Sequence, residues 1–284
     1  MDRAERLRKA RERFAATVRR EEHAIDLATA TLMIAEEAYD RVDIGASLAT
    51  LDRIADNARD AVWGAGHGDD QVRALAEHLT DLEQFRGNDE DYYDPRNSYL
   101  NEVLERRLAI PITLAIVYIT VGRRLGVRIE GVGFPGHFLV RGPGGALFDP
   151  FHGGQELDAE DLQLLASSFG LGPLRPDFLQ AVTKKQLLFR VLQNLRVIYE
   201  GQQSPENRED RADPTLAFGC VHRQLALMPE LPELYRDRGI LHYRSGRPGR
   251  AAADLERYAA LQPKAGDAND ALELAAKLKA HLLN

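Results

Sequence analysis

The chain has 284 residues, of which 44% are hydrophobic and 29% charged, and its formal net charge is −7. This composition is typical of a folded globular protein, and the acidic balance argues against a surface built for nucleic acid. The only cysteine, Cys220, excludes an intramolecular disulfide. Because no apolar run is long enough to cross a bilayer and no secretory leader is evident, we expect a cytoplasmic protein with no membrane partner.

The first 86 residues predict a series of amphipathic helices, because Ala, Leu, Glu and Arg dominate and apolar residues recur at helical spacing. Ser47 is expected to cap one of these helices, and Asp69 or Asp70 another. Residues 1–20 are also basic, with eight Arg or Lys side chains against three acidic ones. A solvated helix face explains this charge, and a basic arm for nucleic acid or a membrane is the alternative.

The middle of the chain predicts a buried helix followed by a β-hairpin. Pro111 suits the first turn of the helix, and Gly126 ends it. A tight turn is predicted at residues 142–145, where glycines separate two apolar runs. The strands are predicted at residues 127–133, 138–141 and 147–149.

Two residues of this hairpin could carry chemistry. His137 follows Phe134-Pro135-Gly136 at the start of one strand, and Asp149 ends the partner strand. Antiparallel neighbours bring such side chains together, so we predict a hydrogen bond of about 2.6–3.2 Å between them. The pair is either a buried structural pair or part of a site, since a carboxylate orients an imidazole and raises its basicity. With His152 it would offer two imidazoles and a carboxylate, which are usual metal ligands.

The C-terminal part of the chain repeats with a period of 34 residues. This period is typical of tetratricopeptide helix pairs, in which Gly239 would lie at a close approach of two helices and His242 in a position usual for an aromatic residue. The residue pairs that carry the period are Ala217 and Ala251, Val221 and Leu255, Leu227 and Leu261, and Pro229 and Pro263.

Three segments, NSYLNEVLERR before IPI, GFPGHFLVR and FDPFHGG, resemble the SirB family, a bacterial branch of the transglutaminase-like superfamily. The resemblance implies an α+β fold with a transglutaminase-like (papain-like) core. N-terminal helices, a small antiparallel sheet and C-terminal tetratricopeptide-type helices complete it. We expect residues 1–182 to form the transglutaminase-like domain and residues 183–284 the helical repeat region.

The resemblance also implies roles for single residues. In the superfamily a helix N-terminus carries a nucleophilic cysteine, and the two strands that follow carry a histidine and an acid, which His137 and Asp149 match. Counting back from Leu125-Gly126 places the cysteine position at residues 111–113, where this chain has no thiol. Thr113 would be a degenerate nucleophile, because its hydroxyl stays protonated at neutral pH; otherwise its hydroxyl bonds the helix backbone.

Asn101 and Arg107 match further positions of the family motif, and with His152 they are candidate binding residues; helix capping and surface ion pairing are the alternative roles for the first two. The missing cysteine favours a non-catalytic regulatory protein, without cofactor or metal, that binds a protein or peptide through the cleft or the repeat surface. The competing hypothesis is a hydrolase or acyltransferase of peptide or amide bonds that uses His137 and Asp149. An open cleft with His137 exposed would favour the enzyme, and a filled cleft would favour a scaffold.

Overall fold

A computed structural model describes residues 2–202 and 211–282 of the chain, which form twelve α-helices and six short strands. The predicted α+β class is confirmed. The helices are α1 (Arg3–Val18), α2 (Leu27–Ala35), α3 (Ile44–Gly64), α4 (Asp69–Glu77), α5 (Leu100–Arg106), α6 (Pro111–Leu125), α7 (Ala159–Ser168), α8 (Lys184–Tyr199), α9 (Pro214–Leu227), α10 (Pro232–Arg244), α11 (Pro248–Leu261) and α12 (Ala268–Leu282). The strands are β1 (Arg86–Gly87), β2 (Leu108–Ala109), β3 (Glu130–Val132), β4 (Leu139–Arg141), β5 (Leu147–Asp149) and β6 (Gln155–Leu157).

The chain divides into two compact units. The core unit comprises residues 20–191, and the repeat unit comprises residues 1–19 and 192–284. Helix α1 therefore groups with the C-terminal helices, whereas the sequence prediction placed it in the transglutaminase-like domain. Compactness does not decide which segments fold on their own, so the boundary at residues 182 and 183 stays a prediction.

Helix α6 is the central helix of the core unit, and its apolar side chains explain why. Leu114, Ile116 and Val117 are fully buried, and α3 packs against the helix. As predicted, the helix starts at Pro111 and stops at Gly126, which adopts the left-handed conformation (φ 78°) that glycine tolerates best. None of the helices in the described residues is long and apolar enough to span a membrane.

A four-stranded antiparallel sheet of order β3-β4-β5-β6 positions the predicted hairpin. The turn at residues 142–145 is present, since the Gly142 N–H donates to the Ala146 carbonyl at 2.9 Å. The Asp69 carboxylate accepts hydrogen bonds from the N–H groups of Gly144 (2.9 Å) and Ala146 (3.1 Å). A second, two-stranded sheet pairs β1 with β2 in parallel.

Two local predictions were wrong, and one strand was not predicted. The residue before α4 is Gly68, so neither Asp69 nor Asp70 is its N-cap; Asp69 instead fastens the hairpin turn. Helix α3 starts one turn earlier than expected, because Asp43 and not Ser47 accepts the N-cap hydrogen bond from the Ala46 N–H at 2.9 Å. Strand β6 was not expected, since its residues neither alternate nor run apolar.

The repeat unit confirms the 34-residue period. Helices α9 and α11 begin at Pro214 and Pro248 and end at Leu227 and Leu261, so both ends are displaced by the same period. Gly239 on α10 lies where a Cβ atom would stand 3.1 Å from Leu255 Cγ. Cys220 is buried on α9.

Candidate functional site

His137 is positioned by the connection between β3 and β4. Its backbone N–H donates to the Phe134 carbonyl at 3.0 Å, closing a turn in which Gly136 has φ 81°. The residue thus lies in the turn, two positions before β4, and not on the strand itself. The turn aims the imidazole at the end of the neighbouring strand β5.

Asp149 is the last residue of β5 and receives the His137 ring. The Nε2 atom of His137 lies 2.9 Å from each carboxylate oxygen of Asp149, so the predicted hydrogen bond is present. Both side chains are buried. Since Nε2 is used by Asp149, Nδ1 is the ring nitrogen left for any other group.

His152 completes a cluster of three. Its Nδ1 atom lies 2.8 Å from Asp149 Oδ2, and its ring stacks on that of His137 with centroids 5.8 Å apart. The Phe151 N–H also donates to Asp149 Oδ1 at 2.9 Å. Asp149 therefore accepts from two imidazoles and from its own following turn.

The electrostatics of this cluster keep the carboxylate charged. Burial raises the pKa of Asp149, but the hydrogen bonds and charges of His137 and then His152 outweigh burial and bring the pKa below its usual 3.8. An ionised Asp149 can only accept a hydrogen bond, so it favours the His137 tautomer with the proton on Nε2. The arrangement can hold a proton at Nε2 and offer a lone pair at Nδ1.

Aromatic rings enclose His137. Phe169, just after α7, stacks on the imidazole at 6.2 Å between centroids, and Phe151 meets it edge-on at 6.0 Å. Gly136 permits this, because a Cβ atom there would stand 2.5 Å from the Phe169 ring. His137 keeps only 6% of its surface exposed, whereas the His152 side chain is 57% exposed.

The same three side chains could hold a metal ion, since their ligand atoms all lie within 4.8 Å of one another. Ligands around a tetrahedral zinc ion with bonds near 2.0–2.1 Å would stand about 3.3 Å apart. The nitrogen–oxygen separations here are 2.8–2.9 Å, which is the length of a charge-assisted hydrogen bond. The cluster therefore fits a hydrogen-bonded triad better than a metal centre.

Comparison with known proteins assigns the fold to a family. A sequence profile of the transglutaminase-like superfamily matches residues 46–193, and a tetratricopeptide-repeat profile matches residues 208–278. A UPF0162 protein from Xylella fastidiosa strain Temecula1 is 37% identical over 252 residues, which cover 86% of each chain. The chain belongs to the transglutaminase-like superfamily and to the UPF0162 family.

Two further relatives share a shorter segment of this transglutaminase-like protein. A UPF0162 protein from Vibrio cholerae is 32% identical over 164 residues, 56% of this chain and 57% of its own. F-box only protein 21 of the mouse is 36% identical over 176 residues, 57% of this chain but 27% of its own length. In that relative the matching segment is part of a longer protein.

Thr113, which the family resemblance predicts at the nucleophile position, lies in the first turn of α6. It is fully buried, and its N–H donates to the Ile110 carbonyl at 3.1 Å. Its hydroxyl oxygen has no hydrogen-bond partner in the part of the chain that the structure describes, so the expected bond to the helix backbone is absent. An unpaired buried hydroxyl costs about 1–3 kcal/mol.

Asn101 and Arg107 are not joined to the cluster by any contact recorded among the described residues. Arg107 ends α5 with φ 62°, and its Nη2 atom donates to Glu83 Oε2 at 2.8 Å while its guanidinium lies over the Phe85 ring. Asn101, on α5, keeps a buried Oδ1 atom without a partner among those residues. Arg107 thus has a structural role, and the binding roles of both residues stay predictions.

Sequence reasoning missed the residue that organises the loop before α5. Asn97 is fully buried; its Nδ2 donates to the carbonyl of Asp91 at 2.7 Å, and its Oδ1 accepts from Asn88 Nδ2 at 3.0 Å. This loop brings the Tyr92 ring to 6.2 Å from that of Phe151, between centroids. Asn97 is the first residue of the segment NSYLNEVLERR, which carries the family resemblance. The sequence therefore pointed to this residue but did not indicate its role.

A shallow groove opens beside the exposed edge of the cluster. It has a volume of about 260 Å³, and we call it the α7 groove. Its lining combines polar side chains, among them Asp149, His152 and Gln155, with the apolar Leu164 and Leu165. Leu164 is 63% exposed, which is unusual for a large apolar side chain beside a polar cluster.

Proposed function

We propose that this protein is a non-catalytic, regulatory member of the SirB family that binds a protein or peptide partner in the bacterial cytoplasm. The observation that carries the proposal is the enclosure of His137 by neighbouring rings. His137 is enclosed by Phe151, His152 and Phe169, and Thr113, the residue predicted at the nucleophile position, is buried. A general base acts only within hydrogen-bond reach of the proton that it removes, and this cage leaves little access.

The surface beside the cage supports binding. His152 offers an exposed imidazole whose orientation Asp149 fixes, and Leu164 with Phe169 offers exposed apolar area next to it. Interfaces with peptides combine such an apolar anchor with a few oriented polar groups.

The repeat unit supports the same proposal. A tetratricopeptide-repeat profile matches it, and repeats of this class stack helices into extended surfaces that bind other proteins. A partner could therefore use the α7 groove, the repeat unit, or both.

A hydrolase or acyltransferase of peptide or amide bonds is the second candidate. It is favoured by the Nδ1 atom of His137, which Asp149 leaves available, and by the ionised state of that carboxylate. Such an enzyme would need the Phe169 ring to move and a nucleophile other than a thiol.

Two substitutions separate these functions. His137→Ala should lower the free energy of unfolding by about 1–3 kcal/mol, because it removes the main partner of a buried carboxylate, and the folded fraction should still bind. His152→Ala should cost less stability than His137→Ala, because the side chain is exposed and Asp149 keeps its bond to His137, but it should lose the partner in a pull-down from bacterial lysate. The exposed His67→Ala is the matched control and should retain both.

Turnover is the result that would overturn the proposal. If the wild type releases product from a peptide or amide library, and both His137→Ala and Asp149→Asn abolish the release, the protein is an enzyme. If His152→Ala, His67→Ala and the wild type capture the same partner equally, the α7 groove is not the binding surface.

A further inference from the structure

The basic N-terminal segment is part of the repeat unit and is not a loose arm. Leu7, Ala10, Phe14 and Val18 follow helical spacing along α1, and all are buried. Helix α1 packs against α9 through this face. Its arginines are consequently held on the opposite and lateral faces of a packed helix.

A cavity of about 1000 Å³ lies in the repeat unit between α1 and the starts of α9 and α11. Its lining is strongly basic; among the described residues that line it, Glu12 alone carries a carboxylate, and that group is paired with Arg8 at 2.7 Å. We call it the arginine cavity. The arginines that line it are Arg3, Arg8, Arg11, Arg19, Arg247 and Arg250.

The floor of the arginine cavity is aromatic and organises two of these cations. The Phe218 ring on α9 is 8% exposed. The guanidinium carbon of Arg11, on α1, lies 4.9 Å from the ring centroid, and that of Arg247 lies 5.8 Å from it. Arginine stacked on a ring keeps its donors directed sideways and loses less freedom on binding. Leu7 adds a further apolar surface to the lining.

Positive charge here is poorly neutralised. Arg3, Arg19 and Arg250 form no ion pair within the described residues, and α11 has no side-chain N-cap, so its first N–H groups add to the positive end of the helix. The buried His242, beside Phe218, reflects this field. Burial first, and then the charges of Arg238, Arg247 and Arg250, lower its pKa to about 4 against the opposing effect of Asp254.

We infer that the arginine cavity binds an acidic peptide segment of a partner protein. Six arginines around an apolar floor suit side-chain carboxylates attached to a chain with apolar residues. The volume lies near the upper end of the range of about 300–1000 Å³ for ligand pockets, which suits a few residues. The net charge of −7 on the whole chain disfavours a nucleic acid as the ligand. The inference names the partner chemistry of the proposed binding function and rests on it only for the class of ligand.

The test measures a fluorescein-labelled peptide, eight residues rich in glutamate with one central leucine, by anisotropy against the full-length protein. We expect saturable binding that weakens in high salt, since exposed ion pairs are screened. Arg247→Glu/Arg250→Glu should weaken it by about tenfold or more, because charge reversal replaces attraction by repulsion. The matched control Arg244→Glu/Lys264→Glu makes the same change in net charge at exposed positions outside the cavity and should stay within about twofold of the wild type.

Three outcomes would overturn the inference. The first is that the peptide shows no saturable binding, and the second is that the two double variants lose the same affinity for the peptide. The third is that a single-stranded RNA of matched charge binds more tightly than the peptide and depends on Arg247 to the same extent. Thermal melts of both double variants establish that they are folded. His152→Ala should bind the acidic peptide like the wild type. If the peptide does not bind the arginine cavity but the pull-down still depends on His152, this inference fails and the proposed function stands. The reverse result would leave the arginine cavity and remove the α7 groove.

Discussion

At the scale of single residues, two histidines share one carboxylate and meet different surroundings. His137 and His152 both bond Asp149, yet the first is enclosed by rings and the second projects into solvent. Because His137 is enclosed, we expect it to contribute to stability. Because the His152 side chain is exposed, a ligand could reach it. The sequence predicted the hydrogen bond between His137 and Asp149, because the two residues flank one β-hairpin, but it placed His137 on the strand, whereas the structure places it in the preceding turn. The cage was not predicted, because Phe169 reaches His137 only through the packing of α7.

A third histidine, His242, is expected to make the stability of the repeat unit depend on pH. Its folded pKa of about 4 lies below the ordinary 6.5 because the ring is buried beside Arg238, Arg247 and Arg250, and Asp254 at 3.9 Å opposes this only in part. Between these two pH values the unfolded chain takes up a proton that the folded chain refuses, so stability falls as the pH is lowered from 6.5 towards 4. Melting temperatures recorded across this window should show the loss.

The matched variant for this prediction is His242→Phe. It restores the aromatic residue usual at that position and removes the titrating group, so its melting temperature should fall less over the same pH window. His67→Phe, at an exposed site, is the control and should behave like the wild type. Equal acid sensitivity in wild type and His242→Phe would show that other groups are responsible.

At the scale of elements, prediction succeeded where the sequence carries a local signal. Helix α6 was predicted from its proline start, apolar body and glycine end, and the 34-residue period located α9 and α11. Strand β6 was missed because its residues are polar or half-exposed, and it exists by pairing with β5 after the turn at Gly153 and Gly154. Such a strand is specified by its neighbour and leaves no periodic pattern of its own.

The packing of α10 against α11 gives a prediction at this scale. Gly239 faces Leu255, and the Ala251 carbonyl oxygen would lie 3.3 Å from an added Cβ atom. Gly239→Leu should therefore overpack the helix pair and lower the free energy of unfolding by about 1–3 kcal/mol. Chemical denaturation of the full-length protein would measure this.

Gly266 is the matched control, because a Cβ atom there would meet nothing within 4 Å. Gly266→Leu should unfold at nearly the same denaturant concentration as the wild type. If Gly239→Leu does so too, the two helices do not approach as closely as the structure shows.

At the scale of the whole molecule, the N-terminal helix α1 belongs to the same compact unit as the C-terminal helices. The sequence divides into a transglutaminase-like part and a repeat part, and the profiles match in that order. The sequence of α1, however, does not indicate that the helix packs against α9, since an amphipathic helix can pack on any apolar face. That partnership is therefore visible only in the folded chain.

This arrangement predicts that the segment 183–284 is incomplete by itself. Without α1 it would expose the face of α9 that meets Phe14 and Val18, so a peptide of residues 2–19 added to it should raise its melting temperature with peptide concentration. A Phe14→Asp peptide should have little effect, because it cannot bury a charge there. If neither peptide changes the melting of the segment, residues 183–284 form a domain without α1, as the sequence alone predicts.

The burial of Cys220 has a practical consequence. Because it is the only thiol of the chain and lies within α9, a cysteine introduced at the exposed position of Leu164 should be the single accessible site for a maleimide dye. Cys220 would therefore not have to be mutated before labelling. A fluorophore at that position would sit on the rim of the α7 groove and report directly on what enters it.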